Sequence, residues 1–155
     1  MSYNTYLQSV EFSSGQQTLT KDISDLDSFE LKSDGNNIIE NMFFINPKFI
    51  NSTDKTFFQL VSKGAKFNLY KKYSGSLDIV TTNYVQSNLR QFVMAVDYFY
   101  LDVKSASLTK LKVTKRGLAK EFSSKPEVST FLETANLNTN TDNALKSLFV
   151  FLNQH

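Results

Sequence analysis

The spacing of hydrophobic residues changes near residue 114. Before this point, apolar and polar residues alternate with a period of two, which is typical of β-strands that bury one face. After it, apolar residues recur every three to four positions, which is typical of amphipathic helices. The pattern therefore predicts one domain, residues 1–155, in which a β-rich part, residues 1–113, precedes a helical part, residues 114–155.

Two pairs of strand-like runs are joined by turn signals. Residues 57–61 and 66–70 flank a short loop that contains a glycine, and this arrangement predicts a β-hairpin. Residues 28–32 and 38–45 flank Asp34-Gly35, a dipeptide that accommodates the positive φ angles of a tight turn. We expect a second hairpin there, and hence a sheet built mainly of antiparallel strands.

The longest strand pattern covers residues 90–102. Its alternation places five large side chains on one face, which we expect to be the core face: Phe92, Met94, Val96, Tyr98 and Tyr100. In the following run, residues 108–113, two lysines alternate with two apolar residues: Lys110, Leu111, Lys112 and Val113. The β-rich part is thus predicted to end as a lysine-bearing hairpin arm that faces solvent.

Three helical segments follow, the first at residues 115–122. The second begins after Ser124, because Ser124-Lys125-Pro126-Glu127 has the spacing of a capping box with proline in the first turn. Its apolar stripe is Val128, Phe131, Leu132 and Ala135. The third begins near residue 141, after polar residues that can cap it, with Asp142 near the positive end of its dipole. Its apolar stripe is Ala144, Leu145, Leu148, Phe149 and Leu152.

Amphipathic helices this short need a surface to cover, and the sheet is the surface that the chain offers. We therefore predict an α+β fold. A mainly antiparallel, aromatic-rich sheet extends from about residue 5 to residue 113, and three short C-terminal helices cover it. Fourteen phenylalanines and seven tyrosines can supply its core without tryptophan.

The composition removes most familiar catalytic chemistry. The 155 residues include no cysteine, and the one histidine is the terminal His155, which excludes thiolate nucleophiles, cysteine-ligated metals and serine–histidine triads. Four acidic residues lie close together, but they lack the Asp-x-Asp-x-Asp-Gly pattern of a calcium loop and belong to a typical turn-forming segment: Asp22, Asp25, Asp27 and Glu30. We expect no metal and no cofactor.

Charge is distributed unevenly along the chain, although the net charge is only +2. Residues 1–40 carry seven acidic residues and two lysines, whereas residues 41–125 carry fourteen basic residues and five acidic ones. We expect an acidic layer to pack beside a basic one within the domain. The first twenty residues lack the charged and apolar segments of a secretory signal, so we expect that the chain as written does not direct its own export.

Four segments of the C-terminal part follow one another in a distinctive order. They are a Tyr-Phe-Tyr-Leu strand, a Leu-Thr-Lys-Leu-Lys return, a lysine-rich helix that ends in phenylalanine, and a last helix with Asp-Asn-Ala-Leu and aromatic residues: residues 98–101, 108–112, 115–122 and 142–153. Together with the hairpin at residues 57–72, they resemble a group of uncharacterised secreted or periplasmic proteins of Bacteroidota. The resemblance covers residues 56–155. It implies an exported cell-envelope protein of β-plus-helix build, with no known activity and no known catalytic residues.

These observations favour a non-catalytic cell-envelope module or accessory subunit that binds another protein through strand edges or the lysine-bearing arm. The candidate partner-binding residues are the basic residues of the arm and the first helix, with one nearby tyrosine: Lys110, Lys112, Lys115, Arg116, Lys120 and Tyr100. The expected partner is a protein of an outer-membrane or envelope complex. The expected location is the periplasm or the outer membrane, with the cytoplasm as the alternative.

Two other classes of function remain open. The same basic residues lie near aromatic residues 98–100, and basic grooves with aromatic stacking platforms are what single-stranded nucleic-acid-binding domains use. A small enzyme would instead need a pocket that gathers Asp97, Arg90 and a tyrosine hydroxyl. A carboxylate inside an aromatic strand needs a partner, which we expect Arg90 or a neighbouring lysine to supply for Asp97.

Overall fold

The structure, a computed structural model, describes residues 1–32, 41–79, 90–137 and 140–155. The strands within these ranges are β1 (Ser2–Asn4), β2 (Ser9–Ser14), β3 (Gln17–Lys21), β4 (Ser28–Leu31), β5 (Met42–Ile45), β6 (Phe58–Ser62), β7 (Phe67–Ile79), β8 (Arg90–Asp102) and β9 (Ser107–Lys110). The helices are α1 (Lys115–Glu121), α2 (Glu127–Thr134) and α3 (Thr141–Gln154). A short 3-10 helix, Pro47–Ile50, follows β5.

The strands form two antiparallel sheets rather than the one that the sequence predicted. The larger sheet has six strands in the order β4-β5-β6-β7-β8-β9, so each strand pairs with its neighbours in the chain. The smaller sheet has the order β1-β2-β3. With the three C-terminal helices, this architecture confirms the predicted α+β fold, and the change from strands to helices falls at Thr114, as the spacing of hydrophobic residues indicated.

Both predicted hairpins pair as expected. β6 and β7 are antiparallel, with Leu60 opposite Tyr70, and β4 and β5 are antiparallel, with Phe29 opposite Phe44. The predicted turn at Asp34-Gly35 lies outside the described residues, and so does the start of the predicted returning run, at residues 38–40.

One face of the large sheet carries most of the core. α3 packs on β6 and β7, and its predicted stripe is buried at Leu145, Leu148, Phe149 and Leu152. These side chains form one cluster with residues of the sheet and of the other two helices: Leu69, Tyr98, Leu111, Leu118, Phe122, Val128 and Leu132. Because this cluster joins all three helices to the strands, it holds the helical part on the sheet.

Two smaller clusters complete the core. The small sheet buries Val10 against Phe29, Phe44 and Phe57, with the ring of Tyr3 packed beside them. A separate cluster lies under the 3-10 helix: Ile50, Phe58 and Tyr70. Successive side chains of a strand point to opposite faces, and for this reason the neighbouring residues Phe57 and Phe58 belong to different clusters.

The helix starts differ from the predicted caps in two respects, at α2 and at α3. Thr114 caps α1, because its hydroxyl accepts a hydrogen bond from the N–H of Gly117 (3.0 Å). The predicted capping box at Ser124 is wrong, since α2 has Pro126 at its N-cap and no side-chain cap bond. Pro126 already has helical dihedral angles, so the backbone closes this first turn by itself, with the N–H of Val128 donating to the carbonyl of Lys125 (3.0 Å). α3 likewise has no side-chain cap bond at Asn140.

The predicted core face of β8 is only partly correct. Tyr98 is 8% exposed, but Phe92 and Met94 are 50% and 55% exposed, and Val96 is 38% exposed. The reason is the length of the strands: β7 and β8 have 13 residues each, whereas β6 pairs with β7 only as far as Lys72. Residues 73–79 of β7 and 90–96 of β8 therefore extend beyond the packed part of the sheet, and we call this pair of segments the distal ribbon.

Candidate functional site

The distal ribbon presents an apolar face to solvent. Leu77 stands opposite Phe92 across the ribbon, and Gly75 stands opposite Met94. Ile79, near the end of the ribbon, is 72% exposed, which makes it the most exposed large apolar side chain of this face. On the small-sheet side the ring of Tyr6 contacts that of Phe92, with the ring centroids 6.4 Å apart. Contiguous exposed apolar surface of this kind marks interaction sites in soluble proteins.

The edge of β8 also exposes unpaired backbone groups. The carbonyl of Tyr98 accepts a hydrogen bond from the N–H of Leu111 (2.8 Å), so it points to the side of β9. Gly75 donates its N–H to the carbonyl of Thr5 (3.2 Å), away from β8, so Met94, which stands opposite Gly75, also directs its backbone groups outward. Because this direction alternates along a strand, the N–H and C=O groups of Phe92, Met94 and Val96 face the free side of β8, where no described residue pairs with them.

This edge lacks the features that usually protect an edge strand. Charged residues, proline, bulges and short length normally prevent an edge from pairing with another chain. Residues 91–96 are Gln-Phe-Val-Met-Ala-Val, and their pairing with β7 has no bulge. The other edge strands in the described part of the chain are all shorter, with β1 only three residues long, and the remaining three carry charges: Lys21 on β3, Glu30 on β4 and Lys110 on β9.

A groove continues from the end of this edge. One cavity of about 340 Å³ is lined by Val96 and Asp97 of β8 together with Val113 and Leu137. A second cavity of about 480 Å³ shares Val113 and Leu137 and reaches Lys115. The two cavities therefore form one groove that leads from the edge of β8 to the start of α1.

The predicted basic residues lie around this groove and beyond it. Lys110 forms an ion pair with Asp97 (2.8 Å), which gives that carboxylate the lysine partner that the sequence predicted. The ammonium group of Lys115 donates to the carbonyl of Glu133 (2.8 Å). Lys112 and Arg116 are exposed beside the groove, and Lys120 is exposed in the last turn of α1. Within the described ranges these last three cations form no ion pair.

Tyr100, the predicted aromatic partner-binding residue, is partly buried and packs against the core. Its ring packs against those of Phe122 and Phe149, at centroid distances of 5.4 Å and 6.0 Å. Its hydroxyl donates a hydrogen bond to Glu121 (2.6 Å). Burial and this acceptor raise the pKa of Tyr100 to about 12. Its ring therefore contributes to packing and is only partly exposed.

A cluster of three ionisable side chains joins α3 to the sheet, and sequence reasoning missed it. The ammonium group of Lys71 lies 2.7 Å from Asp142, and the hydroxyl of Tyr98 donates to the same carboxylate. Asp142 looked like a residue that only complements the helix dipole. Its partner Lys71 is 71 residues away, so no local pattern could reveal the pair.

The pKa shifts in this cluster all move away from neutral pH. Burial raises the pKa of Tyr98, and the adjacent carboxylate raises it further. Burial would raise the pKa of Asp142, but hydrogen bonds from Lys71 and Tyr98 outweigh burial and lower it. Burial would lower the pKa of Lys71, but the hydrogen bond to Asp142 outweighs burial, so the pKa of Lys71 is raised. Asp142 and Lys71 thus stay charged and Tyr98 stays neutral, an arrangement suited to a structural clamp rather than to proton transfer.

Replacing Asp142 by asparagine is expected to change the pH dependence of stability. The pKa of Asp142 is lower in the folded state, so its ionised form stabilises the fold above an unfolded pKa of about 3.9, and this contribution is lost as the pH falls through the folded pKa. Since the carboxylate is 43% exposed, we expect Asp142→Asn to lower the unfolding free energy by about 1 kcal/mol at pH 7 and by much less near pH 2. Urea unfolding at both pH values measures this difference. An equal loss at both would contradict it. The control is Asp78→Asn, which removes an exposed carboxylate that forms no ion pair with any described residue.

The structure separates the residues that the enzyme hypothesis needed to bring together. Arg90 and Asp97 are seven positions apart on β8, which places them about 23 Å apart and on opposite faces of the strand. The N-terminal acidic residues occupy separate local contacts. Asp22 accepts hydrogen bonds from Ser24, while Asp27 pairs with Lys48 at 2.5 Å. No metal-binding group of three or more His, Cys, Asp or Glu side chains occurs in the described part of the chain.

Comparisons of the chain with protein-family models, with curated proteins and with solved structures gave no match. Among the described residues, no helix combines the length and the apolar character needed to cross a membrane.

Proposed function

We propose that this protein is a non-catalytic protein-binding module, and that the distal ribbon with the free edge of β8 is its binding surface. The unprotected edge carries this proposal: three consecutive outward-facing residues, Phe92, Met94 and Val96, expose apolar side chains and backbone groups that have no partner among the described residues. An uncovered edge strand of this kind can pair with the strands of other chains and cause aggregation. The presence of this surface is best explained by a partner protein that covers it.

The position of the aromatic residues favours a protein partner over a nucleic acid. Single-stranded nucleic-acid-binding surfaces interleave exposed rings with basic residues along one groove. Here the partly buried ring of Tyr100 packs against Phe122, whereas the more exposed ring of Phe92 lies at the far end of the strand. Phe92 is six positions from Tyr98, about 20 Å along β8, and the strand between them contributes no positive charge.

We further propose that the module acts as an accessory subunit in the cell envelope, in the periplasm or at the outer membrane. The support for this part is the resemblance of residues 56–155 to secreted and periplasmic proteins of Bacteroidota. Fractionation of the source cells tests it directly. Recovery of the protein with periplasmic or outer-membrane markers would support the location, and recovery with cytoplasmic markers alone would overturn it.

Site-specific photocrosslinking in the source cells tests the binding surface. A photoreactive phenylalanine analogue is placed at Phe92 in one variant and, as a control, at Phe49 in another. Both side chains are about half exposed, but Phe49 lies in the 3-10 helix on the opposite side of the sheet. We expect one adduct of discrete mass that contains a different protein from the variant at position 92 and none from the variant at position 49. Absence of an adduct at position 92 would overturn the proposal.

A further inference from the structure

We propose that the partner contributes an extended segment which adds as a new strand to the edge of β8, with alternating apolar residues and an acidic end directed toward Lys112 and Lys115. This inference rests on the proposed function, because it specifies what the same surface binds. Three features carry it: the unpaired backbone groups of the edge, the apolar face beside them, and the positive charge where the edge meets the groove.

The backbone groups of β8 match what an added strand requires. Phe92, Met94 and Val96 each offer one N–H and one C=O on the free side, at the two-residue spacing of a β ladder. β9 already pairs with the next part of the same edge of β8, where the N–H of Leu111 donates a hydrogen bond to the carbonyl of Tyr98. An incoming strand would therefore extend the line of β9 along the part of β8 that β9 leaves unpaired. Main-chain bonds of this kind supply the affinity in strand-addition complexes.

The side chains of the β8 edge determine which residue types fit at every second position of the partner segment. Residues opposite one another on adjacent strands have Cβ atoms about 4.5–5.5 Å apart, so partner side chains on the ribbon face would contact Phe92, Met94 and Val96. Burying these three side chains favours large apolar residues at those positions. On the other face, the partner would meet the smaller or polar side chains of Gln91, Val93 and Ala95.

The charge around the groove distinguishes a different protein from a second copy of this chain. Lys112, Lys115 and Arg116 follow β9 directly in the chain, and within the described residues none of them forms an ion pair. They outnumber the two carboxylates that line the groove, Glu133 and Asp97, and Asp97 is already paired with Lys110. In symmetric antiparallel pairing of two β8 edges, Arg90 of the second copy would lie at this same end and add a positive charge. A partner segment with carboxylates there would gain attraction instead. Charge complementarity thus favours an acidic segment of another protein.

Two synthetic eight-residue peptides test the inference. One has two glutamates followed by alternating valine and threonine, and the other has the same residues in reverse order, so that both chain directions are covered. NMR of the isotopically labelled wild-type protein measures binding and amide hydrogen exchange. We expect one peptide to slow the exchange of the amide hydrogens of Phe92, Met94 and Val96 at least tenfold. Replacing its glutamates by lysines should weaken binding at least tenfold.

Replacing Met94 by proline tests whether the partner binds by strand addition, which needs the N–H of residue 94, or through side-chain contacts alone. The N–H of Met94 points outward, so Met94→Pro removes an edge donor and no ladder bond to β7, which is the position where a strand tolerates proline. Both substitutions remove the apolar side chain of Met94, but Met94→Thr keeps the N–H, so we expect Met94→Pro to weaken peptide binding at least tenfold more than Met94→Thr does. Circular dichroism verifies that both variants fold, and the exchange measurement on the wild-type protein needs no variant.

Several outcomes would overturn the inference. They are an absence of protection at the three amides with either peptide, equal binding of the glutamate and lysine peptides, and protection that grows with protein concentration alone, which would indicate a second copy. Its failure is distinguishable from failure of the proposed function. If the adduct at position 92 forms equally well in the Met94→Pro background, the ribbon binds a protein without strand addition.

Discussion

Replacement of Phe149 by alanine is expected to lower the free energy of unfolding by about 3–5 kcal/mol. Phe149 is fully buried, and its ring meets those of Phe67, Tyr100 and Phe122 at centroid distances of 6.5, 6.0 and 5.9 Å. These neighbours come from two strands and from the end of α1, so they cannot collapse together into the space that the ring leaves. The cost therefore includes a cavity as well as the lost transfer of apolar surface from water.

Urea unfolding of Phe149→Ala and Phe49→Ala at one pH measures this effect against a matched control. Phe49 loses the same atoms on mutation but is 53% exposed, and its ring contacts the ammonium group of Lys48 at 5.0 Å. We expect Phe49→Ala to cost less than about 1 kcal/mol. Similar losses in the two variants would show that the aromatic cluster does not hold the helices on the sheet.

Replacement of Asn153 by alanine is expected to cost about 2–3 kcal/mol, an unusually large effect for a polar residue near a chain end. The side-chain oxygen of Asn153 accepts from the N–H groups of Lys66 (2.8 Å) and Phe67 (2.9 Å). Its side-chain nitrogen donates to the carbonyl groups of Phe67 (3.0 Å) and Phe149 (2.7 Å). One amide thus fastens the end of α3 to the β6–β7 hairpin, and its loss leaves four backbone groups without these partners.

A double-mutant cycle with Gly64 tests this contact. A Cβ atom at Gly64 would overlap the amide of Asn153, so Gly64→Ala should destabilise the wild-type protein and cost clearly less in the Asn153→Ala background. Gln154→Ala, at the exposed neighbouring position, is the control and should change stability by less than about 0.5 kcal/mol. Additive effects of the Gly64 and Asn153 substitutions would contradict a close contact between α3 and the hairpin.

The elements that were predicted correctly have strong local patterns. The hairpin of β6 and β7 and the boundary at Thr114 follow from alternation and turn residues, and the buried stripe of α3 follows from its helical spacing. The predicted cap at Ser124 failed, although its local pattern was good. The backbone of Lys125 and Pro126 supplies the first acceptors of α2, and the serine hydroxyl is not needed there.

The candidate site was predicted only in part. Lys112, Lys115 and Arg116 are indeed exposed beside a groove, but the apolar edge next to them was taken for core. Alternation along residues 90–102 shows which side chains share a face; it contains no information about where the covering layer ends. The gap appears only when the strands are paired, because β6 and β9 are much shorter than β7 and β8 and do not reach the distal ribbon.

The sequence by itself determined the type and order of the strands and helices from β4 onward, because two-residue and 3.6-residue periods arise from backbone geometry within a few neighbouring residues. Only the tertiary structure decided which faces are covered and which charges are paired. Lys71 meets Asp142 and Asn153 meets Phe67 across more than 70 positions of the chain. Contacts of this kind depend on how whole elements pack, and so does the exposure of Phe92, Met94 and Val96.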